Sequence, residues 1–388
     1  MKLRSVLASL ALLAGSALAS VGLVEVGLRL FALTGNALAR QVSEFDPLAV
    51  QIEPCGELGF CQRPNSVFHY PNGTAATSNG MGYRGPAVAE AKPPGTVRIL
   101  LLGESTTHGW GVNDDQTIDA YMRSLLPGQY PSLRFEVVNL AFDGYDSYQI
   151  FERLRTDGLR LDPDVIIVNT GINDVRSARF PHLQDRDPRT MLWAGDLARM
   201  RAERKHGGPT LWTYVKHYLY AARLPGILLQ RWRTAGSVEV RLNVTPHPEA
   251  AQYFERNLLR IVALAAARHI PLILSTPPSL LGLAGAPGGL QPHSYWIVDA
   301  ATTQRYRDTL AARMRSVADS LGALGREVTY VAHSVPVSMF IDDAHLTPQG
   351  NRQMAVDFAA GLAPLLRTLE AQRLSQRHRE RPLGRRSR

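Results

Sequence analysis

Apolar residues in this chain cluster in short, almost unbroken runs. They occur at 96–103 (TVRILLLG), 134–141 (RFEVVNLA), 163–171 (PDVIIVNTG), 270–278 (IPLILSTPP) and 327–334 (EVTYVAHS). A strand with one solvated face would alternate apolar and polar residues, so near-continuous runs of this length predict strands covered on both faces. Between and after them lie stretches with helical spacing: TIDAYMRSLL, YQIFERLRTDGLR, AAQYFERNLLRIVALAAARH, TTQRYRDTLAARMRSVADSLG and RQMAVDFAAGLAPLLRTL. Strands that alternate with helices need crossover connections, which predicts an α/β fold with a central parallel sheet of about five strands between helical layers. The start of the chain follows another pattern. Lys2 and Arg4 precede an uncharged run over 5–24, and apolar residues continue to Phe31, broken only by Glu25 and Arg29. That run matches the ~20 residues that cross a bilayer as a helix.

Two readings of this segment stay open. ALA at 17–19 suits a cleaved signal peptide, whereas the apolar residues beyond it favour an uncleaved signal anchor. Either way the basic residues stay inside and the rest is exported. The expected location is the periplasm or extracytoplasmic space, anchored to the inner membrane, or secreted if the signal is cleaved. Composition adds that 388 residues, 45% hydrophobic and 20% charged, bury one large domain with appendages. The formal net charge of +9 owes much to the tail, RLSQRHRERPLGRRSR, which reads as solvated or touching anionic lipid. Nothing resembles a zinc finger, a basic helix or an RNA-binding strand pair, so no nucleic-acid partner is expected. Cys55 and Cys61, in PCGELGFC, lack zinc-site spacing and histidine partners. In an oxidising compartment they would close a local disulfide, with two free thiols as the alternative. The division that follows is 1–35 signal anchor or peptide, 36–95 extension, 96–369 main domain and 370–388 basic, disordered tail.

In open parallel sheets, ligands bind beyond the carboxyl ends of the strands. Gly103, Glu104 and Ser105 follow the first run; Asn139, Asp143 and Gly144 close the second; Gly171, Asn173 and Asp174 close the third. Before the last helix, FIDDAHLTPQGN places Asp342 and His345 on a loop whose Thr347 and Pro348 suit a helix N-cap and first turn. Taken singly, Ser105 reads as an N-cap, Asn173 as an Asx-turn residue and His345 as a loop histidine. Together they supply a hydrolytic set. A serine hydroxyl becomes a nucleophile when an imidazole removes its proton, and a carboxylate three residues before that imidazole can fix its tautomer. Backbone N–H groups of Ser105 and Gly144 and the Asn173 amide suit a developing oxyanion.

These blocks, GEST, FDGYD, GIND and DDAHLT, resemble in order those of the SGNH (GDSL-type) esterase and acyltransferase superfamily, over residues 98 to about 369. The resemblance implies a flavodoxin-like three-layer sandwich, the SGNH hydrolase fold. It also implies catalytic Ser105, Asp342 and His345, an oxyanion hole of Ser105, Gly144 and Asn173, and neither metal nor organic cofactor. SNGMGYRGP, followed by KPPGTVRILLLG, resembles the lead-in of the membrane-anchored bacterial branch. Glu104 departs from the family's aspartate by one methylene, which leaves its contacts open. His108, three residues past the serine, reads as a packing or pocket-lining residue rather than the base, and Asp143 and Asp174 as rim or loop residues.

A long insertion, about 180–247, carries Trp193, Trp212, Tyr214, Tyr218, Tyr220 and Trp232 among many basic residues. Its aromatics would pave a sugar groove, line an acyl pocket or rest on the membrane, while LWTYVKHYLYAARLPGILLQRW also reads as one amphipathic helix packed on the domain. The expected function is an exported serine hydrolase that removes small acyl groups, such as acetyl, from a small ester or an acylated envelope glycan. The alternatives are an O-acyltransferase using the same site and a non-catalytic polysaccharide-binding envelope protein.

Overall fold

The structure, a computed structural model, describes residues 2–34, 36, 38, 39, 42, 52–70, 72–185, 187, 194–235, 246–287, 297 and 299–380. The chain forms two compact units, one of residues 51–194 with 242–388 and one of residues 1–50 with 195–241. The long insertion of the sequence is thus divided: its middle joins the N-terminal segment, and its ends stay with the main domain. Trp193 and the tail at 381–388 lie outside the described residues.

Helix α1 (Lys2–Leu33) opens the chain. The larger unit begins with two antiparallel hairpins, β1 (Ile52–Cys55) with β2 (Gly59–Gln62) and β3 (Val67–His69) with β4 (Ala75–Thr77). Their strands are too short to show a pattern in the sequence. A disulfide joins Cys55 to Cys61 across the first hairpin, with Cα atoms 5.5 Å apart. The five apolar runs follow as β5 (Thr96–Gly103), β6 (Arg134–Asn139), β7 (Val165–Asn169), β8 (Leu272–Ser275) and β9 (Val328–Val331). They form one parallel sheet in the order β6–β5–β7–β8–β9. This is the flavodoxin-like 2-1-3-4-5 arrangement, whose strand order reverses between β5 and β7.

Helices cover both faces. Between the strands come α2 (Ser105–His108), α3 (Ile118–Gln129), α4 (Ser147–Thr156), and, after the insertion's α5 (Ala194–Lys205), α6 (Leu211–Tyr218) and α7 (Tyr220–Ala235), the crossover helices α8 (Glu249–Ala266) and α9 (Ala300–Ala323), with α10 (Pro348–Glu380) last. Alternate residues of β5 feed the two layers. Val97, Ile99 and Leu101 join a core with Ile118, Met122 and Leu126 of α3 and Met354, Phe358 and Leu362 of α10. Leu100 and Leu102 point the other way and are equally buried. Arg98, fully buried inside β5, is held by Glu136 (2.7 Å) and the carbonyls of Glu90, Ala89 and Leu161. Its charge is thereby paired at the end of the sheet away from the rim.

Two expectations are corrected. The segment read as one amphipathic helix is two, α6 and α7, separated at Leu219, whose extended backbone (φ −116°, ψ 113°) cannot continue a helix. The start of the basic tail is not irregular: α10 runs without a break from Pro348 to Glu380.

Candidate active site

At the rim, β5 ends where the chain must turn sharply. A Cβ at Gly103 would collide with the Thr107 side chain and the Asn169 carbonyl, so only glycine fits between β5 and β7. The next residues wind into α2, a single turn closed by Gly109 in the left-handed region (φ 90°). Ser105 stands at its first position, half-buried, while Thr106, Thr107 and His108 are buried beneath it. The strand ends in a hydroxyl cluster because one hydroxyl faces the rim and the others bond inward, Thr107 to the Asn169 carbonyl and Thr106 to the Ala344 carbonyl.

Some 240 residues later the chain returns to this point. Before α10, the loop doubles back on itself, Phe340 bridging Leu346 and the Ile341 N–H bonding the His345 carbonyl at 2.8 Å. Asp342 Oδ1 accepts the N–H groups of Ala344 (2.9 Å) and His345 (2.7 Å). With the ring proton assigned to Nδ1, His345 donates to Asp342 Oδ2 at 2.7 Å. That leaves Nε2 to accept from Ser105 Oγ, 2.9 Å away. Burial works to raise the Asp342 pKa, but the hydrogen bonds and charge of His345 outweigh it and hold it at about 2. Asp342 is therefore ionised wherever the imidazole can act as a base. The neighbouring Asp343 turns elsewhere, its carbonyl receiving the Leu280 N–H.

Glu104, next to Ser105, is wholly buried. Its two oxygens receive the N–H groups of Ile172 (2.8 Å) and Asn173 (2.7 Å) from the loop after β7. Burial drives its pKa up to about 7, against the opposing pull of these two N–H groups and of Arg307 and Arg176. The residue that departs from the aspartate of the resembling family thus holds the loop carrying Asn173. Asn173 also donates one amide hydrogen to the Tyr145 carbonyl (3.0 Å), which fixes its side chain against the loop after β6. In that loop Gly144 has φ 81°, a conformation that glycine adopts without strain.

Other residues singled out in the sequence have structural partners. His108 is buried with Nδ1 2.9 Å from Asp143 Oδ1, and does not bond Ser105. Asp174 accepts the N–H and hydroxyl of Ser147, joining the loop after β7 to the start of α4; burial and the nearby Asp146 raise its pKa. A second Ser–His–Asp chain also exists. Ser275 Oγ lies 2.7 Å from His333 Nε2, and His333 Nδ1 2.8 Å from Asp357 Oδ2. Ser275 and the His333 side chain are both fully buried, and the chain ties β8 and the end of β9 to α10.

Two contributors escaped the sequence reading. Trp110 stacks on His345, ring centroids 4.4 Å apart and planes 30° apart. Its position between Gly109 and Gly111, five residues past the serine, was the available signal. Arg84, buried in the upstream SNGMGYRGP segment, bonds the carbonyls of His108 (2.9 Å), Gly109 (2.5 Å) and Val112 (2.6 Å) and pairs with Asp114 (2.9 Å). It clamps the turn that follows α2. Further along the rim, Gly171, Thr276, Gln304, Arg307, Arg315 and Tyr330 line a cleft of about 270 Å³. Among the described residues no cluster of three or more His, Cys, Asp or Glu side chains could hold a metal ion.

Residues 101–353 match the model of the GDSL-like lipase/acylhydrolase family. No curated protein matches the chain. Similar solved structures include a GDSL-like lipase from Bacteroides thetaiotaomicron, 17% identical over 72% of this chain and 93% of that one, TM-score 0.40. They also include an acetylxylan esterase from Geobacillus stearothermophilus, 16% identical over 69% of this chain and 94% of that one, TM-score 0.40.

Proposed function

The chain belongs to the GDSL-like lipase/acylhydrolase family, and from that premise we propose that it is a carboxylic ester hydrolase working through Ser105, His345 and Asp342. The observation that carries the assignment is the unbroken line of hydrogen bonds from Ser105 Oγ through His345 to Asp342. Ser105 Oγ attacks the acyl carbonyl carbon while His345 Nε2 takes its proton. The backbone N–H groups of Ser105 and Gly144 and the free amide hydrogen of Asn173 receive the oxyanion. Collapse breaks the ester C–O bond, and His345 returns the proton to the departing alcohol. Water, deprotonated by the same imidazole, then attacks the acyl-serine and releases the acid. Asp342 keeps the imidazole in one tautomer and stabilises its cationic form.

The finer reading is of an exported, membrane-tethered enzyme that removes small acyl groups such as acetyl from a glycan. The N-terminal apolar helix after Lys2 and Arg4 supports the tether, and the Cys55–Cys61 disulfide supports an oxidising compartment. The polar cleft beside Gly171 suits a hydroxylated alcohol portion.

The test uses the full-length chain in detergent, given a short-chain activated ester and then a serine-directed fluorophosphonate, beside Ser105→Ala. Turnover and a covalent adduct should both appear in the native protein and both vanish in the variant. Adduct formation in folded Ser105→Ala, or neither signal in the folded native chain, would overturn the assignment. Acyl groups moved onto added oligosaccharide in place of free acid would make the acceptor a sugar hydroxyl.

A further inference from the structure

We infer that helices α6 and α7 lie in the outer headgroup layer of the same bilayer that α1 crosses, forming an interfacial collar around the emerging anchor. This rests on the tether reading above, and its support comes from the smaller compact unit alone.

The first step is depth. The uncharged run of α1 from Ser5 to Val24 is about 30 Å of helix, the thickness of the hydrocarbon core. From Val6 to Val24 the apolar side chains are exposed, and among the described residues none packs around them. Glu25 and Arg29 come next, one turn apart and paired at 2.7 Å. Charges at this place put the hydrocarbon edge at about Val24 and the pair in the headgroup layer, which is ~6 Å thick on each side.

The second step is what docks there. Arg29 donates to the Tyr218 carbonyl at 2.9 Å, and Glu25 accepts the Ala221 N–H at 2.8 Å. The Arg29 guanidinium also sits 4.3 Å from the centroid of the Tyr220 ring. These three contacts span the joint between α6 and α7, so the joint is fixed at headgroup depth. From it, Ile227 of α7 buries with Leu28 of α1, Ala39 and Val42, and Tyr220 and Leu224 pack against that cluster.

The third step is the face left over. Leu211, Tyr214 and Tyr218 of α6 recur at helical spacing and are exposed, Leu211 by 80% and Tyr218 by 66%. Trp212 beside them is 56% exposed, with the Lys216 ammonium 5.6 Å from its ring centroid. On α7, Leu228 and Leu229 are exposed as well. Large apolar and aromatic side chains exposed together along α6, with two more on α7, mark an interaction surface. Tyr and Trp beside lysine and arginine are the residues that favour a membrane–water interface, where rings bury and polar tips stay wet. Because the two charges of α1 already fix this unit at the bilayer edge, lipid is the partner within reach.

Full-length protein is reconstituted into vesicles of phosphatidylethanolamine and phosphatidylglycerol doped with phosphatidylcholine brominated either near the carbonyls or near the chain ends. Flotation is measured first, then tryptophan emission, with the Trp212 contribution taken as the difference from Trp212→Phe. The expected result is a chain that floats and a Trp212 component that is lost to shallow bromine more than to deep bromine and shielded from aqueous acrylamide. A floating chain whose Trp212 component ignores bromine overturns the collar and leaves the tether standing. A folded chain that does not float overturns the tether and the collar with it.

Discussion

Glu104 couples the nucleophile's turn to the loop that presents Asn173, and it does so as a buried carboxyl that titrates near neutrality. Its pKa is about 7 in the fold against 4.5 in the unfolded chain. Between those values the folded state holds the extra proton, so this group makes stability fall as pH rises through the window and level off above about 7. Glu104→Gln should remove that component, read as a flatter profile of Tm between pH 4.5 and 7. An amide also turns one N–H against a backbone donor, and the displaced Asn173 should lower kcat by about 10²-fold with KM little changed. The native profile persisting in the variant would remove Glu104 from this role. The hydroxyl, imidazole and carboxylate were legible in the sequence because each ends or follows a recognisable run and Asp342 precedes His345 by a fixed local spacing. The partners of Glu104 were not, since they lie 68 and 69 residues away and are backbone groups that leave no mark in composition. Trp110 likewise gains its meaning only when the His345 loop folds over it.

The strands were predictable as elements because runs buried on both faces are dense in apolar residues, and the helices between them because of their spacing. The hairpins were not, as strands of three or four residues carry no period. Between the second hairpin and α2 stands Arg84, which reaches four carbonyls, those of Ala75, His108, Gly109 and Val112, with one planar fork. Lysine is a point donor and cannot satisfy that set. Arg84→Lys should therefore cost about 2–4 kcal/mol in urea unfolding and lower kcat, because the turn bearing Trp110 loosens. Unchanged unfolding would show that the carbonyls find other donors. The break at Leu219 was hidden because α6 and α7 share an apolar spacing that the eye joins, whereas the chain needs the bend to bring Tyr218 and Ala221 to Arg29 and Glu25.

Across the whole molecule, the main domain was legible from its alternation of strands and helices. The smaller unit was not, because it joins segments some 180 residues apart that look like a leader and an insertion. One outcome is that the leader cannot be removed cleanly: deleting residues 1–35 takes away Leu28 and uncovers Tyr220, Leu224 and Ile227. Such a chain should self-associate in dilute detergent-free buffer, visible as a mass above that of one chain by light scattering. A monomeric, stable product would show that the cluster closes without α1. The separation of 240 residues between Ser105 and His345 also has a meaning in time. At roughly 5–20 residues per second of synthesis, the nucleophile is made about 12–48 s before its base. Throughout that interval the emerging polypeptide carries an ordinary serine, chemically inert toward any ester it passes. With the proposed triad, activity begins as a discrete event when the last loop closes, so a message or chain cut short before Asp342 should yield no partly active product.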